Sequence, residues 1–160
     1  MGVLSALLGV ALIFGATQAG AAGSTTVLKF DDGSATVTAL GFNESSNTPP
    51  PVGAQEVLAL VIKNHGDQFG KPSGAAVGHV LIDCTVLNVT PQNADGVCSG
   101  IAHVPDGYFT FGGDGIFQNN AKPNHWAITG PVGPYANDRG QIVVTNYKNG
   151  RSLAVATLSP

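Results

Sequence analysis

The stretch VGHVLIDCTVLN, residues 77–88, decides the fold class, because its residues alternate with a period of two. Gly78, Val80, Ile82, Cys84 and Val86 share one parity, while His79, Asp83 and Thr85 share the other. That is the pattern of a strand with one face on a core and one in water. Cys84 is therefore expected to point inward, and His79 and Asp83 outward. This argues against the sharpest catalytic pair in the chain, His79 as base with Asp83 as its orienter, since both stand on the solvent face.

Working outward, the same period recurs in short runs rich in β-branched and aromatic residues at 34–40, 55–62, 98–104, 108–111, 125–129, 141–145 and 153–158. Asp32-Gly33, Asp95-Gly96, Asp106-Gly107, the GGDG at 112–115 and Asn149-Gly150 read as tight reversals between them. No stretch after Thr26 has a period of 3.6. The expected fold is all-β, with about eight short strands closed as a sandwich or an up-and-down barrel, the architectures that hide sheet edges. Two connections exceed hairpin length. Residues 43–53, NESSNTPPPVG, cannot join a ladder at their three prolines and read as a stiff rim or lid. Residues 66–76 are Gly-rich and polar and read as a mobile connection.

Composition removes whole classes of function. The chain has 160 residues, with 7 Lys and Arg against 10 Asp and Glu. It lacks the basic patch that nucleic-acid binding requires. Residues 1–28 contain no charged side chain and no histidine, and they run from an apolar stretch into Ala19-Gly20-Ala21. We read residues 1–21 as a secretory signal peptide and 22–160 as a single domain, exported and without stable membrane insertion after processing. Two cysteines, Cys84 and Cys98, suit that compartment. A bridge closing a loop of that size contributes on the order of 3 kcal/mol. A pair of inert core thiols, or one free thiol facing a cavity, is the rival reading. A hairpin centred on residues 91–96 would set Cys84 opposite about His103 and separate the sulfurs, unless the strand is bulged.

Catalytic and metal signatures are few. His65, His79, His103 and His125 show neither HxH nor HExxH spacing, there is no Cys/His cluster and no GxSxG, and no helix is read after the glycines at 112–115. The sequence points to no metal and no cofactor.

The most specific stretch is AITGPVGPYANDRGQI, residues 127–142. It resembles the AITGGxGxFxxxxGQ segment of the allene oxide cyclases and the GGTGxFxxARG segment of the dirigent proteins, which form one superfamily of barrels. Gly130, Gly133, Tyr135 in the aromatic slot, Arg139 and Gly140 carry the match, while Pro131, Val132 and Asp138 depart from it. In chain terms it reads as a strand ending at Thr129, a turn whose glycines allow positive φ, an aromatic returning to the core, and a new strand from Gln141. Weaker similarity covers Asn43-Glu44, the VGxxxxxCTVL pattern from Val77 and the hairpin at Val104 to Gly107.

The resemblance implies an eight-stranded antiparallel up-and-down barrel of calycin or dirigent type, whose interior holds a small hydrophobic molecule and steers its cyclisation or coupling by shape. It places Asn43 and Cys84 on the ligand, Asn43 at the mouth and Cys84 in the wall. It also sets Gly41 where the cyclases carry an essential glutamate, so any enzyme here is an isomerase or cyclase acting by conformational control. Catalytic residues remain unassigned. Two other readings stand beside it: a lipocalin-like carrier without chemistry, and a structural barrel filled by Phe109, Phe111, Phe117 and Trp126. A homo-oligomer is compatible with each.

Overall fold

In a computed structural model, which describes residues 24–43, 48–91, 93–116, 123–147 and 151–160, every expected strand is present and longer than its apolar run. They are β1 (Thr26–Leu40), β2 (Gln55–Asn64), β3 (Ala76–Val89), β4 (Ala94–Val104), β5 (Gly107–Ile116), β6 (Asn124–Val132), β7 (Arg139–Asn146) and β8 (Ser152–Ser159), with a short 3-10 turn at Gly133–Tyr135. Each pairs antiparallel with the next, and β8 returns to β1, so the eight strands close into a barrel. Closure leaves the sheet without the unpaired edge that both an open sandwich and a single sheet would have to protect. The expected leader, residues 1–21, lies outside the described residues, among which no helix is long and apolar enough to cross a membrane.

On β3 the alternation is realised as expected: Val80, Ile82, Cys84 and Val86 are buried, whereas His79 and Asp83 are exposed. The inward rows of the other strands complete one core of Leu28, Phe30, Ile62, Val104, Phe109, Phe111, Trp126, Ile128, Ile142 and Leu158 among others. Each such side chain removed from water stabilises the fold by about 1.5–3 kcal/mol. A second, smaller cluster of Ala54, Val86 and Ala94, with Phe42 against it, lies where β1 finishes.

Three expected reversals are instead strand interior. Asp32-Gly33 lies within β1, where the register against β2 shifts between Asp32 and Ala35. A Cβ on Gly33 would stand 2.8 Å from the Val61 carbonyl oxygen, so glycine serves close approach here, not a turn. The glycines at 112–115 belong to β5, where Gly112 and Gly113 pair with Ala127 and Trp126. Asp95-Gly96 belongs to β4. The chain reverses four residues earlier, where Thr90 N–H donates to the Asn93 carbonyl at 2.7 Å and the Thr90 hydroxyl accepts from Asn93 N–H at 3.1 Å. Pro91 takes the second turn position, which its fixed φ suits.

The connection at 66–76, expected to be mobile, folds as a plug over the end of the barrel where β1 starts. Asn64 is fully buried and its amide donates to the carbonyls of Gln68 at 2.8 Å and Lys71 at 2.9 Å. Phe69, held at a positive φ of 54°, stacks on Phe30 with ring centroids 6.3 Å apart. Buried polar anchors of this kind fix a loop because leaving them unmade is costly.

Candidate functional site: a one-ended cavity

The barrel is hollow. A cavity of about 360 Å³ runs inside it, a volume within the range of small-molecule sites. Its walls are apolar and aromatic, with Phe30, Leu58, Leu60, Val80, Ile82, Phe109, Phe111 and Trp126 among the lining side chains. The aromatics line the cavity without filling it; Phe117, the fourth residue of the filled-barrel reading, lies outside the described residues. Phe111 and Trp126 stack at 4.9 Å with their planes 13° apart, and the indole N–H donates to the Asp114 carbonyl at 2.7 Å, fixing this pair in the wall. Gly100, directly across from Phe111, makes room for it: a Cβ there would lie 2.6 Å from the ring.

Polarity is confined to one end. Glu56, Asn124, Asn146, Tyr147, Arg151 and Ser152 line the cavity from the strand termini where β1 finishes. Beside them, Asp32 accepts from Ser152 N–H at 2.9 Å, and Asp31 lies 3.2 Å from His65 Nδ1 and 3.9 Å from Arg151. Toward the opposite end Phe69 and Tyr135 pack against the core, and neither lines the cavity. A molecule thus meets polar groups at the mouth and an apolar, aromatic floor.

Asn124 stands out chemically. It is 8% exposed, and its Oδ1 is buried without a hydrogen-bond partner among the described residues. An unpaired acceptor in such a site costs about 1–3 kcal/mol, which a donor on a bound molecule would recover.

The residues singled out from the sequence separate in space. Cys84 is 6% exposed, lines the cavity, and is disulfide-bonded to Cys98, which lines it too. The free-thiol reading falls. Glu56 faces the same wall, directly across from Cys84 on β2. Asn43 follows β1 as an exposed residue and is not part of the cavity lining.

The glycine motif is structural in placement. Gly130 pairs with Thr110 inside β6, which runs to Val132 instead of ending at Thr129. Of its glycines, only Gly133 takes a positive φ, 84°. Tyr135 is buried as expected, and burial pushes its phenol above the ordinary value, with the Asp106 and Asp138 carboxylates adding to the shift. Arg139 opens β7 in solvent, and Gly140 pairs with Ile128 and Leu158.

Glu56 and Asn124 were missed, for different reasons. In QEVLALVIKN both parities are apolar, so nothing local tells which face Glu56 shares. In NHWAITG the phase was legible, since Asn124 is in step with Trp126 and Ile128.

No family model and no curated protein matches the chain by sequence. Solved structures do match in fold. A pyocyanin demethylase is 23% identical, with 85% of this chain and 100% of that one covered at a TM-score of 0.60. The Diels Alderase AbmU from Streptomyces koyangensis is 13% identical, over 88% of this chain and 70% of that one, at 0.65. The pterocarpan synthase dirigent protein GePTS1 is 11% identical, over 84% and 88%, at 0.61. The chain therefore shares its barrel fold with dirigent and cyclase proteins.

Proposed function

We propose that this barrel, secreted after removal of residues 1–21, binds a small hydrophobic, ring-bearing molecule in its interior and steers the cyclisation or coupling of that molecule. The observation that carries this is the 360 Å³ cavity, aromatic in its floor and polar at its mouth. Such a site fixes one conformer of a flexible, intrinsically reactive substrate and lets the reaction proceed from it, which is catalysis by orientation. The stacked Phe111 and Trp126 face the ring, Asn124 Oδ1 accepts from a hydroxyl or amine, and Cys84 contributes wall in its bridged form. Asn43 belongs to the rim, touching the outer end of the ligand. Glu56 supplies a carboxylate in the cavity wall, whereas the resemblance to the allene oxide cyclases sets Gly41 at their glutamate, so a narrower cyclase reading depends on Glu56.

The test has two parts. Apolar fluorescent probes, titrated against the protein, should bind at one site per barrel, and a single stereoisomer should be enriched when a racemising phenoxy-radical coupling or a thermal cyclisation is run with the protein present. Probe binding with unchanged product chirality would leave the carrier reading. Binding of a planar, fused-ring molecule without chemistry is a second reading, favoured by the stacked Phe111 and Trp126 in the cavity wall; pyocyanin as probe, recovered unchanged by mass spectrometry, decides it. Intact Met1 in the exported protein would reject processing.

A further inference from the structure

On the outer wall, away from the cavity, His79 of β3 stands directly opposite His103 of β4. Their rings stack with centroids 4.6 Å apart and planes 16° from parallel. Residues 79 and 103 lie 24 positions apart in the chain, so no spacing rule brings them together. Neither ring makes a hydrogen bond or ion pair among the described residues, in contrast to His65, which contacts Asp31. Both imidazoles therefore keep their ring nitrogens available.

We propose that His79 and His103 form a two-imidazole site for a divalent transition metal, with Cu2+ as the preferred occupant. The sheet supplies the preorganisation. Residues directly opposite in an antiparallel ladder alternate between a close pair and a pair bonded through both peptides. Cys84 and Cys98, with Cα atoms 4.1 Å apart, are a close pair, and the register runs without a shift from them to His79 and His103. An odd number of steps makes the histidine pair the bonded kind, so its two backbones are held rigidly. Ring nitrogens bind such metals at about 2.0–2.1 Å, and rotation of the exposed His79 ring and the half-buried His103 ring about their side-chain bonds converges them on one ion. Imidazole suits Cu, Ni and Zn, and Cu2+ heads the affinity order among them. Water completes the coordination, and the Tyr108 ring, 5.5 Å from His103 at the next position in the row, borders the site. The metal would clip β3 to β4 from outside, as the disulfide clips them from inside.

The test is calorimetric titration of the oxidised protein with CuCl2, and separately ZnCl2, at fixed pH. One Cu2+ per chain is expected to bind at these residues, more tightly than Zn2+. His79→Ala and His103→Ala should each weaken it about tenfold or more, because a one-ligand site forfeits the effective concentration of its second ligand. His125→Ala, an exposed histidine elsewhere, should leave it unchanged. Two readouts separate a chelate from scattered surface binding: nitrogen hyperfine coupling from two imidazoles in the Cu2+ electron spin resonance spectrum, and a metal-dependent rise in thermal midpoint lost in both variants. His79→Gln, which keeps a polar side chain at the exposed position, covers any folding failure of the alanine variant. Equal Cu2+ affinity in wild type, His79→Ala and His103→Ala, or a one-nitrogen spectrum, overturns the site.

Discussion

Cys84 stands directly opposite Cys98 because β3 carries one more residue than β4 between that pair and the turn: the register shifts between Val86 and Asn88, and the exposed Leu87 is the extra residue. Without that bulge Cys84 would face Ser99, and the bridge could not form between inward side chains. Removing the bridge by a Cys84→Ala/Cys98→Ala double variant should cost about 3 kcal/mol and lower the thermal midpoint by roughly 6–12 °C. Scanning calorimetry measures it, and thiol titration of denatured, unreduced wild type should return no free thiol.

Asn124→Val should separate stability from binding. Its Oδ1 is buried without a partner among the described residues, so an apolar side chain there is expected to hold or raise stability by about 1 kcal/mol. A probe bearing a hydroxyl should nonetheless bind about tenfold more weakly, while a purely apolar probe of the same shape should not. Chemical denaturation and fluorescence titration read the two effects. Asn43→Ala, on the rim, is expected to weaken either probe less; an Asn43→Ala loss exceeding that of Asn124→Val would move the site toward the rim.

Gly100→Ala tests the tight wall. The added methyl would press on the Phe111 ring, whose Cζ is 2.6 Å from the ideal Cβ position, and on the Leu81 carbonyl. A loss of about 1–3 kcal/mol is expected from overpacking. Displacement of Phe111 should also disturb its stack with Trp126, visible as a shift in indole fluorescence.

Tyr135 gives the protein an alkaline limit. Its phenol titrates above the ordinary value of 10.0 in the fold because burial disfavours the phenolate. Between the unfolded and folded values the native state holds more protons than the unfolded chain, so stability is full below pH 10 and falls as pH rises through the folded value. Denaturation curves from pH 8 to 11.5 should show that fall, and Tyr135→Phe should flatten it. An unchanged slope in the variant would place the alkaline loss elsewhere.

The sequence by itself determined the number and order of strands and which face of β3 turns inward, because period-two alternation is a local property that each strand writes for itself. It also placed Tyr135 in the core. The register was decided only by the tertiary structure. Asp95-Gly96 has turn chemistry, yet the chain reverses at Thr90 to Asn93, and Leu87 adds the bulge; together these put Cys84 on Cys98 and His79 on His103. Glu56 reached the cavity through pairing with β3, since its own strand is apolar on both faces. Register is a sum over ladder bonds and side-chain contacts between segments far apart in the chain, so no single segment encodes it. The cavity is decided at the same level: Phe109, Phe111 and Trp126 can fill a barrel or line one, and it is the pairing around all eight strands that leaves them as walls.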